Sequence, residues 1–198
     1  MADVTYVLAL ALPHGNAAGP FVASLFGPLI AGMSFTLYLF LATERATFAG
    51  LLAAIFNVVA GGLVTAMLLV QVSVDEVEAS LSPAVNDALE HVEFGLDLSW
   101  DVFLVAGTIL FGCAMIANRR FGRVLGVSGI IVAVALYALN FATFPEPPAS
   151  SGLVDLGPLI GLWYAAVSVQ ALRLWRASAR TPTSIAVGNP HPKRGGGQ

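Results

Sequence analysis

Long apolar stretches separated by short polar segments dominate this chain. A transmembrane helix needs about 20 predominantly apolar residues to cross the roughly 30 Å hydrocarbon core of a bilayer. Five stretches meet that length, at about residues 21–42, 48–72, 98–117, 124–144 and 156–175. The pattern therefore predicts an all-α fold, a polytopic membrane helical bundle with five transmembrane helices.

The segments that flank the predicted membrane domain, residues 21–176, have a different character. Residues 1–20 carry an apolar run of about nine residues, too short to span, and no basic region of the kind that begins a signal peptide. We expect an outer interfacial segment there, with residues 4–12 interfacial or re-entrant. Residues 177–198 are rich in Ser, Thr, Pro and Gly and predict a disordered cytoplasmic tail.

An acidic segment precedes the third predicted span. Ser82 and Pro83 are typical of a helix N-cap and first helical position. At 100° per residue, one arc of the following helix is apolar (Val85, Leu89, Val92, Leu96, Trp100 and Phe103), and the neighbouring arc is acidic (Asp87, Glu90, Glu93, Asp97 and Asp101). Because the same phase continues into the span, we predict one long helix whose first part, residues 83–97, is an amphipathic extension.

The charges divide between the two sides of the five-span arrangement. All nine basic residues fall on one side, and eleven of the twelve acidic residues fall on the other, with Glu44 as the exception. The positive-inside rule makes the basic side cytoplasmic. We therefore predict an N-out, C-in topology.

Composition excludes several classes of protein. With 57% hydrophobic and only 11% charged residues, the chain differs from soluble domains, in which about a quarter of residues are charged. Metal-ligand motifs, nucleophile elbows, phosphate-binding loops and histidines within the spans are missing from the sequence. We predict a protein that is not an enzyme and has no metal, cofactor or nucleic-acid partner. The expected partner is the lipid bilayer, with a further membrane protein or a second copy of the chain as alternatives.

The acidic extension is the first candidate for function. Asp87 and Glu90 lie next to His91 on the helix, and Glu93, Asp97 and Asp101 are spaced four residues apart. Three interpretations remain open: a solvated acidic face whose apolar face rests on the bundle or the bilayer surface, a cation or proton site, and a docking surface for a partner protein. For docking, the candidate residues are Asp87, Glu90 and Glu93.

A second candidate is a polar group near the outer membrane boundary. It comprises Asp101, Asn140 and Asp155, with Tyr137 and Gln71 nearby. Together with Asp97, the first three are the candidate ligands for a cation, because ionisable groups inside a bilayer are costly and usually functional. For Asp155 an alternative is that it caps the fifth helix, in which Gly157 and Pro158 begin the first turn.

Polar and aromatic residues within the spans predict helix packing. Asn57 and Gln170 are single amides of the kind that hydrogen-bond to a neighbouring helix. Trp163 and Tyr164 are expected in the core, with the lining of a ligand cavity as the alternative. The GxxxG spacings at residues 122–126 and 157–161 favour close helix contacts within the chain or in a dimer.

The motifs FGLDLSWDVF, NRRFGRVLG, LNFATFPEPP and GLVDLGPLIGLWY, within residues 94–164, resemble those of a family of small bacterial multi-span membrane proteins known only as a domain of unknown function. The resemblance implies the same membrane architecture and a multi-pass location in a bacterial inner membrane, and it carries no activity. We expect an accessory or assembly component of a membrane complex. A small outward-facing protein that binds or transports a cation, proton or cationic solute is the second expectation, and an intramembrane enzyme the third.

Overall fold

The computed structural model describes residues 18–77, 81–144, 148 and 151–180. These residues form five helices, which we number α1 to α5: Ala18–Arg45, Phe48–Val77, Pro83–Ile116, Gly122–Thr143 and Gly157–Arg180. The described part of the chain contains no strand. The all-helical prediction is therefore confirmed, whereas residues 4–12 lie outside the described residues.

Helix α3 is the long helix that the sequence predicts. It runs without a break for 34 residues from Pro83, and Ser82 precedes it with an extended backbone (ψ 149°) and no side-chain cap hydrogen bond. At 1.5 Å per residue, the helix is about 50 Å long. Since the hydrocarbon core of a bilayer is about 30 Å thick, an upright α3 must project beyond it.

Two predicted boundaries were wrong. The first predicted span ends at residue 42, but α1 continues to Arg45, and only residues 46 and 47 separate α1 from α2. Helix α5 continues through residues 177–180, which were assigned to the disordered tail. Residues 181–198 lie outside the described residues.

Four of the helices are long and apolar enough to cross a membrane: α1 over Ser24–Arg45, α2 over Phe48–Val74, and α3 and α4 over their full lengths. This composition indicates an integral membrane protein. Helix α5 has sufficient length, 24 residues, but is not among the four. Its second half contains Gln170, Arg173 and Arg176, which lower its hydropathy.

Helices adjacent in sequence pack against each other, and glycines allow their backbones to approach closely. A Cβ added to Gly61 of α2 would lie 2.8 Å from the carbonyl oxygen of Gly27 in α1. At the crossing of α3 and α4, a Cβ on Gly112 would lie 2.7 Å from the carbonyl oxygen of Gly126. Of the predicted Gly122–Gly126 motif, only Gly126 makes such a contact, because Gly122 has φ +81° and begins α4.

The main core cluster contains residues of all five helices. Leu37, Ala54, Phe111, Leu136 and Ile160 represent α1 to α5 within it. Therefore α5 packs into the same core as the four more apolar helices.

Candidate functional site

The acidic arc of α3 turns progressively into the protein. Asp87 and Glu90 are exposed, Glu93 and Asp97 are half-buried, and Asp101 is only 9% exposed. Successive carboxylates along the helix thus lead from the exposed extension to a buried position. The interpretation of a fully solvated acidic face is therefore wrong for the last part of this arc.

The apolar arc follows the opposite trend. Val85 and Val92 are 45% and 53% exposed. Farther along the helix, Leu96 and Trp100 pack against a second core cluster formed by Phe26, Ile30, Val64, Met67 and Leu68. The apolar arc is therefore exposed at Val85 and Val92 and packs against the bundle from Leu96 onward, where α3 meets α1 and α2.

Asp101 and Asn140 form the buried centre of the outer polar group. Asn140 on α4 is 8% exposed, and its Nδ2 donates a hydrogen bond to Oδ2 of Asp101 on α3. The two residues face each other because α3 and α4 are antiparallel neighbours joined by a short link. The structure therefore brings together the predicted pair that lies deepest in the protein.

The other members of the predicted site surround this pair less tightly. Oδ1 of Asp97 accepts a hydrogen bond of 3.0 Å from Nε1 of Trp100. Asp155 is exposed and lies close enough for its charge to act on Asp97 and Asp101. Its Oδ1 accepts a 2.8 Å hydrogen bond from the backbone N–H of Gly157, which confirms its predicted role as the cap of α5.

Gln71 and Tyr137 occupy different surroundings. Nε2 of Gln71 donates to Oε1 of Glu93, so the end of α2 is tied to the acidic arc one turn above Asp97. Tyr137 is 41% exposed, and its ring packs against Phe141 on the same helix. Gln71 therefore borders the acidic arc, whereas no described contact links Tyr137 to Asp101 or Asn140.

The chemistry of Asp101 follows from its partner. A buried ion is normally stabilised by an opposite charge as well as by hydrogen bonds, because transfer of a charge out of water costs several kcal/mol. Among the described residues, Asp101 has a neutral amide as its hydrogen-bond partner and carboxylates as its nearest charges. This arrangement favours uptake of a proton or a positive charge. The described residues include no group of three or more His, Cys, Asp or Glu side chains that could hold a metal ion.

A separate polar network lies at the centre of the bundle. Nδ2 of Asn57 donates to Oγ of Ser34 at 3.0 Å and to the hydroxyl of Tyr164 at 2.7 Å. That hydroxyl lies 3.0 Å from Oγ1 of Thr108, which in turn donates to the carbonyl oxygen of Leu104. The network joins α1, α2, α3 and α5, so the prediction that Asn57 connects neighbouring helices is confirmed.

Sequence reasoning missed Ser34 and Thr108 in this network. Both are fully buried, and each is a small hydroxyl residue within an apolar run. Such residues can also bond to their own helix, as Thr108 does, so the sequence gives no signal that separates a network member from an isolated hydroxyl. Oδ1 of Asn57 is buried without a hydrogen-bond partner and lies against Gly107.

The opposite end of the bundle is basic. Nε of Arg120 forms a 2.8 Å ion pair with Oε1 of Glu44, and its Nη1 donates to Oγ1 of Thr43. Gln170 on α5 donates to the carbonyl oxygen of Arg120 at 3.0 Å, so this amide bonds to the α3–α4 link and not, as predicted, to a neighbouring helix. Arg120 therefore connects the end of α1 with the second half of α5.

The chain matches no protein-family model, no curated protein and no solved structure. The resemblance of residues 94–164 to a family of bacterial membrane proteins stays a prediction.

Proposed function

We propose that this chain is a non-catalytic, multi-pass protein of a bacterial inner membrane that binds a proton or a cationic solute at its outward end, with Asp101 as the central ligand. One observation carries this proposal: the buried Asp101 carboxylate is hydrogen-bonded to a neutral amide, and the charges nearest to it are negative. A proton or a bound cation would supply the missing positive charge.

The carboxylates near Asp101 support a route by which a proton or cation would reach it from the exposed part of α3. The acidic arc leads from exposed Asp87 and Glu90, past Glu93 and Asp97, to Asp101. Surfaces lined by one sign of charge raise the local concentration of ions of the opposite sign. In this proposal the exposed carboxylates attract the cation, Asp101 binds it, and Asn140 orients the Asp101 carboxylate.

The proposal includes five spans with an N-out, C-in orientation. Support comes from Tyr164 on α5, whose hydroxyl bonds to Asn57 near the middle of α2 and lies beside Thr108 of α3. A helix joined to the middle of two membrane-spanning helices is expected to lie at the same depth in the bilayer. The polar groups in the second half of α5 would then reach the basic interface.

The binding site is tested by thermal unfolding of the purified protein in detergent, with sodium, guanidinium or tetramethylammonium chloride added at constant ionic strength. Binding to the folded state alone raises its stability. We expect at least one cation to raise the Tm of the wild-type protein and of Asp87→Asn, which removes an exposed carboxylate from the same helix. Asp101→Asn should abolish the rise.

If the bound species is a proton, none of these cations will raise the Tm. Infrared difference spectra between acidic and alkaline pH should then contain a carboxylic acid C=O band that is lost in Asp101→Asn and kept in Asp87→Asn. The absence of both a cation effect and an Asp101 band would contradict the proposal.

Topology is tested with single cysteines in a Cys113→Ala background. Cysteines at two exposed positions, Ser151 before α5 and Ser178 in its last turn, are treated with a membrane-impermeant maleimide in intact cells. A spanning α5 places only Ser151 outside. Labelling of both positions, or of neither, would show that α5 does not cross the membrane.

A second candidate function is that of an accessory or assembly component, and the exposed valines favour it. Val85 and Val92 are exposed beside Asp87 and Glu90, and neither of these carboxylates forms an ion pair with a lysine or arginine in the described part of the chain. An amphipathic basic segment of another membrane protein would match this surface. We place this candidate second because the acidic arc turns toward the bundle.

The accessory function predicts a partner that depends on the extension. Native mass spectrometry of gently extracted protein would detect a reproducible second chain, which Glu90→Lys should remove. The matched variant Asp101→Asn should keep it. A partner lost only in Asp101→Asn, or no partner at all, would contradict the accessory function.

A further inference from the structure

Helices α1 and α5 enclose a groove that the proposed function does not use. Its volume is about 570 Å³, which lies within the roughly 300–1,000 Å³ of typical small-molecule sites. The walls are mostly apolar: Met33, Leu37 and Phe40 on α1 face Val167, Ala171 and Leu172 on α5. The groove is therefore suited to a hydrocarbon ligand.

The extent of the groove corresponds to one leaflet of a bilayer. On α5 its lining runs from Tyr164 to Trp175, eleven residues, which is about 17 Å along the helix. Half of the hydrocarbon core is about 15 Å. A chain lying in the groove would thus reach from the basic interface to the middle of the membrane.

At the end of the groove that is nearer the middle of the bundle, the lining side chains are held by hydrogen bonds. Tyr164 lines the groove, and its hydroxyl is held by Asn57 and Thr108. Beside it, Oγ of Ser168 on α5 lies 3.9 Å from Sδ of Met33 on α1 and joins the two walls. These contacts define where an apolar chain would end.

The other end of the groove is aromatic and basic. Trp175, 58% exposed, is its last lining residue on α5. Arg176 follows, one helical turn beyond Leu172 and on the same side of α5, so it stands at the lip of the groove. On the α1 lip, Thr43 accepts a hydrogen bond from Arg120.

The charge at this end favours an anionic ligand. Among the described residues, Glu44 is the single carboxylate at the basic end, and it pairs with Arg120. No ion pair with a carboxylate is formed within the described residues by the guanidinium groups of Arg45, Arg119, Arg123, Arg173 and Arg176. The backbone N–H of Arg119 donates to Oε2 of Glu44. Basic sites between helices at the cytoplasmic face bind anionic lipid headgroups.

From the apolar walls, the one-leaflet depth and the basic lip, we infer that the α1–α5 groove binds one acyl chain of an anionic phospholipid whose headgroup contacts Arg176. Trp175 lies at the level of the ester region, where Trp is favoured. This inference concerns the end of the bundle opposite to Asp101. It rests on the part of the proposed function that makes α5 a membrane span, and it does not depend on the proposed binding site at Asp101.

The test uses the protein reconstituted into phosphatidylcholine vesicles that contain a small fraction of phosphatidylglycerol with brominated acyl chains. Bromine quenches the fluorescence of nearby tryptophan. The difference between the wild-type protein and Trp175→Phe gives the fluorescence, and its quenching, that come from Trp175 in the groove. We expect the quenching of Trp175 to exceed the value set by the mole fraction of brominated lipid. Brominated phosphatidylcholine at the same fraction should give no excess.

Two variants assign the effect to this groove. Arg176→Gln should remove the excess quenching, whereas Arg173→Gln, which removes a charge that lies about 60° farther from the groove around α5, should keep it. Ala171→Phe should also remove the excess, because the larger side chain fills the groove.

Four results would overturn the inference. Equal quenching by the two brominated lipids would show no selection for an anionic headgroup. Equal losses in Arg176→Gln and Arg173→Gln would show general attraction to the basic end. Excess quenching that persists in Ala171→Phe would place the lipid elsewhere, and a dimer in native mass spectrometry that Ala171→Phe dissociates would assign the groove to a second copy of the chain.

Discussion

The two buried polar regions of this protein differ in the partners that their polar side chains have. The central network joins Ser34, Asn57, Thr108 and Tyr164 through neutral donors and acceptors that belong to four helices. The outer site holds Asp101 through Asn140 alone and places further carboxylates nearby. Neutral hydrogen bonds between helices stabilise the packing without any ligand, whereas a buried carboxylate without a positive partner gains from binding one. The first region therefore serves the fold, and the second is where we place function.

The largest effect should come from Asn140→Leu. The substitution removes the hydrogen bond to Asp101 and leaves a buried carboxylate without a partner, which costs about 3 kcal/mol. Unfolding by sodium dodecyl sulfate in mixed micelles measures the change in the free energy of unfolding.

The control for Asn140→Leu is the double variant Asp101→Asn with Asn140→Leu. We expect it to recover most of the lost stability, because the charge is gone. If both variants are equally destabilised, the effect comes from the packing of residue 140 and not from the Asp101 charge. The outer site would then serve the fold, as the central network does.

Gly107→Ala should have the next largest effect, on the central network. The new Cβ would clash with Oδ1 of Asn57 and lie 3.1 Å from the carbonyl oxygen of Ala53. Overpacking of this kind costs about 2 kcal/mol. Gly95→Ala, in the same helix, is the matched control because its Cβ meets nothing within 4 Å. The same unfolding experiment should show no loss for Gly95→Ala; equal stability of the two variants would contradict the described packing of Asn57.

Tyr164→Phe should destabilise the protein by about 1 kcal/mol. It removes the hydroxyl that accepts from Asn57 and bonds to Thr108, and hydrogen bonds between membrane helices contribute about 0.6 kcal/mol each. Tyr137→Phe serves as the control, since Tyr137 is exposed. Two results would contradict a structural role for the central network. One is equal stability of Tyr164→Phe and Tyr137→Phe, and the other is loss of the cation or proton response in Tyr164→Phe without any change in stability.

Substitutions of Asp155 should have the smallest effect and separate its two roles. Asp155→Ala removes the cap of α5 and should cost about 0.5–1 kcal/mol. Asp155→Ser keeps a capping oxygen and removes only the charge, so the thermal stability should remain near that of the wild type. Weaker cation binding in Asp155→Ser would show that the negative charge of Asp155 assists Asp101. If Asp155→Ser is destabilised as much as Asp155→Ala, the charge of Asp155, and not its capping hydrogen bond, stabilises the start of α5.

Helix identity and the phase of the acidic arc were predictable because each depends on local sequence. Apolar runs of membrane-spanning length predict helices in any arrangement, and the 100° periodicity of residues 83–103 predicts one continuous α3. The capping of α5 by Asp155 was predictable for the same reason, since a cap bonds within two residues of itself. The continuation of α5 to Arg180 was not predictable, because the position of a helix end depends on small differences in helix propensity and solvation.

The direction in which the acidic arc faces came from the tertiary structure. A helical wheel separates Asp97 and Asp101 from Val85 and Val92, but it contains no information on which side meets the bundle. The crossings at Gly27 with Gly61 and at Gly112 with Gly126 place α1 to α4, and those positions turn Asp101 toward Asn140.

The sequence by itself determined a helical membrane protein, its one long acidic helix and the separation of basic from acidic ends, since length, periodicity and charge are properties of short segments. Only the tertiary structure decided that Asp101 is buried against Asn140, that Ser34 and Thr108 join Asn57 and Tyr164, and that α1 and α5 leave an apolar groove beside Arg176. Each of these features joins residues from different helices, and its geometry depends on how closely and at what rotation those helices pack.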